Sequence, residues 1–215
     1  MSVLAIQPST IDAYICLDSP DVNFNNVNLL VRSGTGPPSN RRTLIKFDFS
    51  ALPDNAVISA GTLSLYYFEI DGGPIGRTYW VNELTQIGWV ETQVTWNNYK
   101  TGSAWANAGG DYVTNNGASI IVPASYPAWV EWNVLALVQH FQSVHDKIGH
   151  FLIRDGSEDN NPYKTGFFVS KDYTGNPTLK PILTITYTLP EQIEVRIRIK
   201  KYQDFSRNFA KRKEI

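Results

Sequence analysis

The stretch Thr43-Leu-Ile-Lys-Phe-Asp-Phe49 decides the fold class, because Leu44, Lys46 and Asp48 alternate with Ile45, Phe47 and Phe49. Successive side chains of a β-strand point to opposite faces, so this period of two writes a half-buried antiparallel strand. A slip of one residue would turn Ile45, Phe47 and Phe49 to water, which fixes the register. Runs of the same kind, rich in β-branched and aromatic residues and separated by Gly, Pro, Asn and Asp, lie at 12–17, 28–32, 62–68, 78–84, 118–122, 129–133, 150–154, 165–171 and 181–188. About ten short strands predict an all-β chain, a jelly-roll-type antiparallel β-sandwich with one short helix and a C-terminal extension. The helix is expected over 133–144, where Val134, Leu137, Val138 and Phe141 fall at i, i+3, i+4 and i+7 behind Asn133 as the cap. It is expected to plug one end of the sandwich.

The chain has 215 residues, long enough to bury a sizeable core. Charged residues make up 18% and aromatics 13%, so rings are available both for a rigid core and for contact surfaces. The single Cys16 excludes an intrachain disulfide framework and a CxxC metal motif. No apolar run approaches the roughly 18 residues of a membrane span. The opening Met-Ser-Val-Leu-Ala-Ile-Gln-Pro lacks a basic region followed by an apolar one, so synthesis in the cytoplasm without a signal peptide is expected.

Charge divides the chain. Residues 1–190 carry 11 basic and 16 acidic side chains, whereas 191–215 carry 8 and 4. The reading is a body, 1–189, followed by a basic arm, 190–215. In the arm Ile193, Val195, Ile197 and Ile199 alternate with charged residues as in a strand, and Tyr202, Phe205 and Phe209 follow at i, i+3 and i+7 as in a short amphipathic helix. Such a strand is free to add to a sheet edge, its own or a partner's, so the arm reads as an assembly or anchoring element. The body has the wrong sign for nucleic acid.

Seven stretches carry a resemblance: Asp12-Ala-Tyr-Ile15, Leu44-Ile-Lys-Phe-Asp-Phe-Ser50, Ala60-Gly-Thr-Leu-Ser-Leu-Tyr66, Trp89-Val-Glu-Thr-Gln-Val-Thr-Trp-Asn97, Trp132-Asn-Val134, Phe168-Val-Ser170 and Pro181-Ile-Leu-Thr-Ile-Thr-Tyr187. Over roughly residues 5 to 188 the chain resembles the DNRLRE domain family, a carbohydrate-binding-module-like β-sandwich, although the string that names the family is absent. The resemblance implies a jelly roll of the kind found in extracellular, cell-wall or viral surface proteins, some of which bind acidic polysaccharide. Independently of it, Trp89 and Trp96 differ in parity, so a turn near Glu91-Thr92 is expected to wedge Trp96 into the core while Glu91 accepts from nearby backbone N–H groups.

Each chemistry-bearing residue also has a structural role open to it. His140, His145 and His150 are spaced by five, about 140° apart on a helix, so they are expected to be surface histidines and not a zinc face. Ser170, His150 and Asp172 form only a formal triad, with no GxSxG elbow. Glu69 with Asp71, and Glu83 with Glu91, are formal carboxylate pairs for glycoside hydrolysis. Oxygen-rich loops at 18–26 and 155–161, without EF-hand spacing, make a structural calcium the one cofactor considered, with Asp111 and Asp155 as its ligands. The aromatic side chains Tyr66, Phe68, Tyr79, Trp80 and Tyr99 are the glycan-binding candidates, since flat rings stack on sugar faces; a second core layer or a subunit interface is the other reading.

The function expected is that of a non-catalytic structural or adhesion protein, not an enzyme: a virion surface component such as a phage capsid decoration, head fibre or tail part, anchored by the arm. Its partners would be its own copies or a major capsid protein, with a polysaccharide as a further contact, and its place the virion surface or the exterior after lysis. The alternative is a carbohydrate-binding module of a polysaccharide-degrading or cell-surface protein.

Overall fold

The computed structural model describes residues 1–190 other than Val27 and Pro38. The arm residues Ile193, Val195, Ile197, Ile199, Tyr202, Phe205 and Phe209 lie outside the described residues.

The strands are β1 (Ser2–Ile6), β2 (Ile11–Cys16), β3 (Asn28–Ser33), β4 (Arg41–Asp48), β5 (Val57–Asp71), β6 (Thr78–Leu84), β7 (Asn98–Lys100), β8 (Ser103–Ala104), β9 (Tyr112–Ile121), β10 (Ala128–Asn133), β11 (Ile148–Asp155), β12 (Lys164–Val169) and β13 (Ile182–Thr188), with α1 (Leu135–Val144) between β10 and β11. All pairings are antiparallel. β5 is the spine of one half: β13 and then β12 run along one of its edges, β10 along the other, and β1 and β3 extend outward. The second half is β2, β4, β11, β6 and β9, and a single Arg32–Arg41 pairing joins the halves. The sheet curls over on itself, which is the expected all-β sandwich.

Between the halves lies the main core. Ile45, Phe47 and Phe49 are fully buried there with Leu63, Leu65, Tyr67, Tyr79, Trp132 and Phe168. Each such side chain contributes about 1.5–3 kcal/mol relative to exposure. The helix closes one end, as its periodicity requires: Val134, Leu137, Val138 and Phe141 are all buried. Asn133 is not the capping residue, because it is the last residue of β10; its Oδ1 still accepts from the Leu135 N–H at 3.2 Å. Gly61 is needed beneath the helix, where a Cβ would approach Val138 Cγ2 to 2.5 Å.

The other side of β4 departs from the expected solvent face. Lys46 is half-buried and Asp48 exposed, but Leu44 is buried in a second core with Ala13, Ile15, Leu84 and Leu152, roofed by Trp89, Val94, Trp96 and Trp105. The roof is the 85–111 segment, which carries the small β7–β8 hairpin. A turn at residues 91–93 reverses the chain between the two tryptophans, so both point down despite their parity. Glu91 Oε1 accepts from the Asp12 N–H at 2.9 Å, the backbone role expected of it. Polar staples hold the roof: Asn23 Nδ2 donates to Glu91 O at 2.8 Å and Val94 O at 2.7 Å, and Arg42 pairs with both oxygens of Glu158 while donating to Gly109 O. Among the described residues no helix is long and apolar enough to cross a membrane.

Candidate functional site

The strand register builds a stripe on the outer face of the first half. With Leu63, Leu65, Val130 and Trp132 turned into the core, alternation turns Thr62, Ser64 and Tyr66 of β5, and Trp129, Glu131 and Asn133 of β10, the other way. Antiparallel pairing sets them opposite one another as Tyr66–Trp129, Ser64–Glu131 and Thr62–Asn133. Those three rungs span about 13 Å along the strands. At one end the Tyr66 and Trp129 rings meet edge to face, centroids 5.5 Å apart and planes at 71°, with Trp129 37% exposed. In the middle Ser64 Oγ donates to Glu131 Oε1 at 3.2 Å. At the far end Thr62, Glu131, Asn133 and Leu135 line a hollow of about 310 Å³. Phe68 sits where the β5–β12 register shifts, its ring 6.4 Å from that of Phe167, and continues the aromatic strip across the sheet.

The aromatic residues expected to share one platform separate. Tyr66 and Phe68 lie on this face. Tyr79 does not: it is fully buried, its hydroxyl donates to Val31 O at 3.2 Å, and its burial holds the phenol well above the usual range. The reason is parity, since β6 places Tyr79 and Val81 in the main core and Trp80 on the opposite side of the sheet. Trp80 pairs with Arg154 and Ser119 in the second half, and Tyr99 belongs to the roof, 5.8 Å from Trp105. Trp129, Ser64, Glu131 and Asn133 were not among the glycan-binding candidates read from the sequence, although Ala128-Trp-Val-Glu-Trp-Asn133 alternates as cleanly as β4.

The calcium candidates are engaged otherwise. Asp111 accepts from the backbone N–H groups of Ala106 and Asn107, at 2.9 and 2.7 Å, and so closes a turn. Asp155 is fully buried and receives both Nε and Nη2 of Arg77, at 3.0 and 2.7 Å. A calcium ion there would have to displace an arginine.

Of the histidines expected at the surface, His140 and His145 are half-buried and His150 is buried. α1 ends at Val144, so His145 has left the helix and its ring swings back: His140 Nε2 lies 3.3 Å from Glu83 Oε2 and His145 Nε2 lies 3.2 Å from Glu83 Oε1. His150 is buried, accepts from the Trp89 indole N–H at 3.2 Å, and is pushed down to about 4, chiefly by desolvation. The formal triad of Ser170, His150 and Asp172 does not form, because the Ser170 hydroxyl donates to Asn26 O. In each formal carboxylate pair one member is held by a cation: Asp71 lies 3.5 Å from Arg32 and Glu91 lies 3.0 Å from Lys171.

A third cluster joins Asp12, Glu91 and Asp172 around Lys171. Asp12 Oδ2 accepts from Ser9 Oγ at 2.6 Å and the Lys171 N–H at 2.9 Å, while Oδ1 is buried without a partner. Burial raises the Asp12 carboxyl to about 7.

No curated protein sequence matches the chain. Residues 5–187 match carbohydrate-binding module family 96, nearly the span of the resemblance quoted above. The match carries the carbohydrate-binding character of that resemblance, not the DNRLRE label or a particle-surface setting, and favours the carbohydrate-binding alternative over a virion part. A β-sandwich with an exposed tryptophan against a half-buried tyrosine and polar partners in register on one sheet face is consistent with that match, and the chain belongs to carbohydrate-binding module family 96.

Proposed function

We propose that the chain is a non-catalytic carbohydrate-binding module that lays a neutral polysaccharide along the outer face of β5 and β10. The observation that carries this reading is the Trp129–Tyr66 pair, placed in register with two polar rungs and a hollow. An exposed indole gives the C–H face of a sugar ring a flat apolar surface at low entropic cost. Glu131, steadied by the buried Ser64 hydroxyl, and Thr62 and Asn133 then offer acceptors and donors to hydroxyls of the neighbouring rings, as a few placed polar groups do in binding sites generally. Charge argues for a neutral ligand: Glu131 and Glu69 are both exposed, Glu131 on this stripe, and residues 1–190 carry more acidic than basic side chains. A uronate chain would be repelled by both.

Affinity electrophoresis through gels containing glucan, mannan, xylan, alginate or pectate tests the reading. Retardation by a neutral polymer, reduced in Trp129→Ala, is expected. Retardation by alginate or pectate alone, untouched by Trp129→Ala, would place the site elsewhere.

A further inference from the structure

We propose that Glu83, His140 and His145 form a binding site for a divalent transition-metal ion, Zn²⁺ by its ligand chemistry, at the end of the sandwich closed by α1.

Glu83 stands near the end of β6, and its carboxylate is only 8% exposed. A carboxylate so buried requires a compensating charge. Among the described residues no lysine or arginine pairs with it; its partners are the two imidazoles. The cluster therefore offers an ion two imidazole nitrogens and a carboxylate oxygen. The three ligand atoms lie within 4.8 Å of one another. Zinc binds nitrogen and oxygen at about 2.0–2.2 Å, which makes the edge of its tetrahedron about 3.3–3.6 Å. His140 Nε2 and His145 Nε2 lie 3.3 and 3.2 Å from different oxygens of the carboxylate, Oε2 and Oε1, so small side-chain rotations would bring both nitrogens and one or both oxygens onto a common ion. His140 and His145 keep 35% and 20% of their side-chain surface exposed, so an ion can enter and a water can complete the shell. Two imidazoles and one carboxylate favour Zn²⁺ over Ca²⁺ and Mg²⁺, which prefer all-oxygen shells.

The carboxylate cluster on the other side provides a contrast. Asp12, Glu91 and Asp172 also converge, but Lys171 Nζ reaches Glu91 at 3.0 Å and Asp172 at 2.8 Å, so an ammonium already occupies the cation's place. At Glu83 no lysine or arginine among the described residues takes that place, and an ion there would tie β6 to both the body and the C-terminal end of α1.

The test is calorimetric titration of ZnCl₂ into the tag-free, chelator-stripped full chain, with thermal melts in ZnCl₂, CaCl₂ or MgCl₂. One Zn²⁺ per chain and a Tm raised by Zn²⁺ but not by Ca²⁺ or Mg²⁺ are expected. His140→Ala and His145→Ala should each weaken Zn²⁺ by about tenfold or more, with His150→Gln unchanged. Co²⁺ in place of Zn²⁺ should show the visible absorption of a tetrahedral site, lost in His140→Ala. If His145→Ala fails to fold, the more exposed His140 carries the test. Absence of binding, or a Zn²⁺ isotherm that the His140→Ala/His145→Ala double variant reproduces, overturns the assignment and leaves a hydrogen-bonded clasp.

Discussion

The Trp89 indole N–H donates to His150 Nδ1 across 3.2 Å, and this contact joins the roof segment to the central strand β11. His150 therefore has a structural reason to stay neutral, and desolvation, with Lys46 and His145 nearby, holds its pKa near 4 instead of 6.5.

The first prediction follows from that depression. Between pH 6.5 and about 4 the unfolded chain takes up a proton that the folded chain refuses. The His150 contribution is therefore complete above pH 6.5 and is lost as pH falls through 4, with a slope of up to about 1.4 kcal/mol per pH unit. His150→Gln should remove that acid-side loss, measured as the difference in urea midpoint from the parent at each pH.

Asp12 predicts the opposite slope. Its carboxyl is raised from 3.8 to about 7, chiefly by desolvation, so the folded chain holds a proton that the unfolded one releases between those values. This stability is present below pH 3.8 and is lost as pH rises through about 7. Asp12→Asn should therefore gain on the parent as pH rises from 4 to 8, while His150→Gln gains as it falls. Parallel curves for parent and Asp12→Asn would show that Asp12 titrates normally.

Packing sets the third prediction. A methyl group at position 61 would lie 2.5 Å from Val138 Cγ2 and 3.3 Å from the backbone of Leu135. Gly61→Ala should cost about 1–3 kcal/mol through overpacking. A melting temperature equal to the parent's would mean that α1 moves freely against β5.

Much of this was legible in residues 43–49 and 133–144, because alternation and the 3.6-residue period report directly on which side is buried. Leu44 was the exception: its burial depends on a roof supplied by Trp89, Trp96 and Trp105, forty or more residues away, and that roof has almost no strand period of its own. The stripe was half legible. Tyr66 followed from Leu63 and Leu65, but its partner Trp129 follows only from the β5–β10 register, which no local pattern specifies. Tyr79 was misplaced because alternation says that Tyr79 and Trp80 face oppositely without saying which faces in. The His–Glu cluster was hidden by treating three histidines as helical when α1 ends before His145.

Tyr79 also supplies a control, the fourth prediction. Tyr79→Phe removes the hydroxyl that donates to Val31 O and should cost about 0.5–1.5 kcal/mol of stability. It should leave glycan affinity unchanged, because the ring never reaches the surface. A Tyr79→Phe variant that folds normally yet loses ligand would contradict the placement of the site.

The central claim is that Trp129 and Tyr66 form the sugar platform, and calorimetric titration with an oligosaccharide of the best-retained neutral polymer tests it most directly. Trp129→Ala should weaken binding by about tenfold or more, equivalent to about 1.4 kcal/mol, and Tyr66→Ala by a smaller factor, with both variants melting within a few degrees of the parent. Unchanged affinity in a folded Trp129→Ala/Tyr66→Ala double variant would contradict the account.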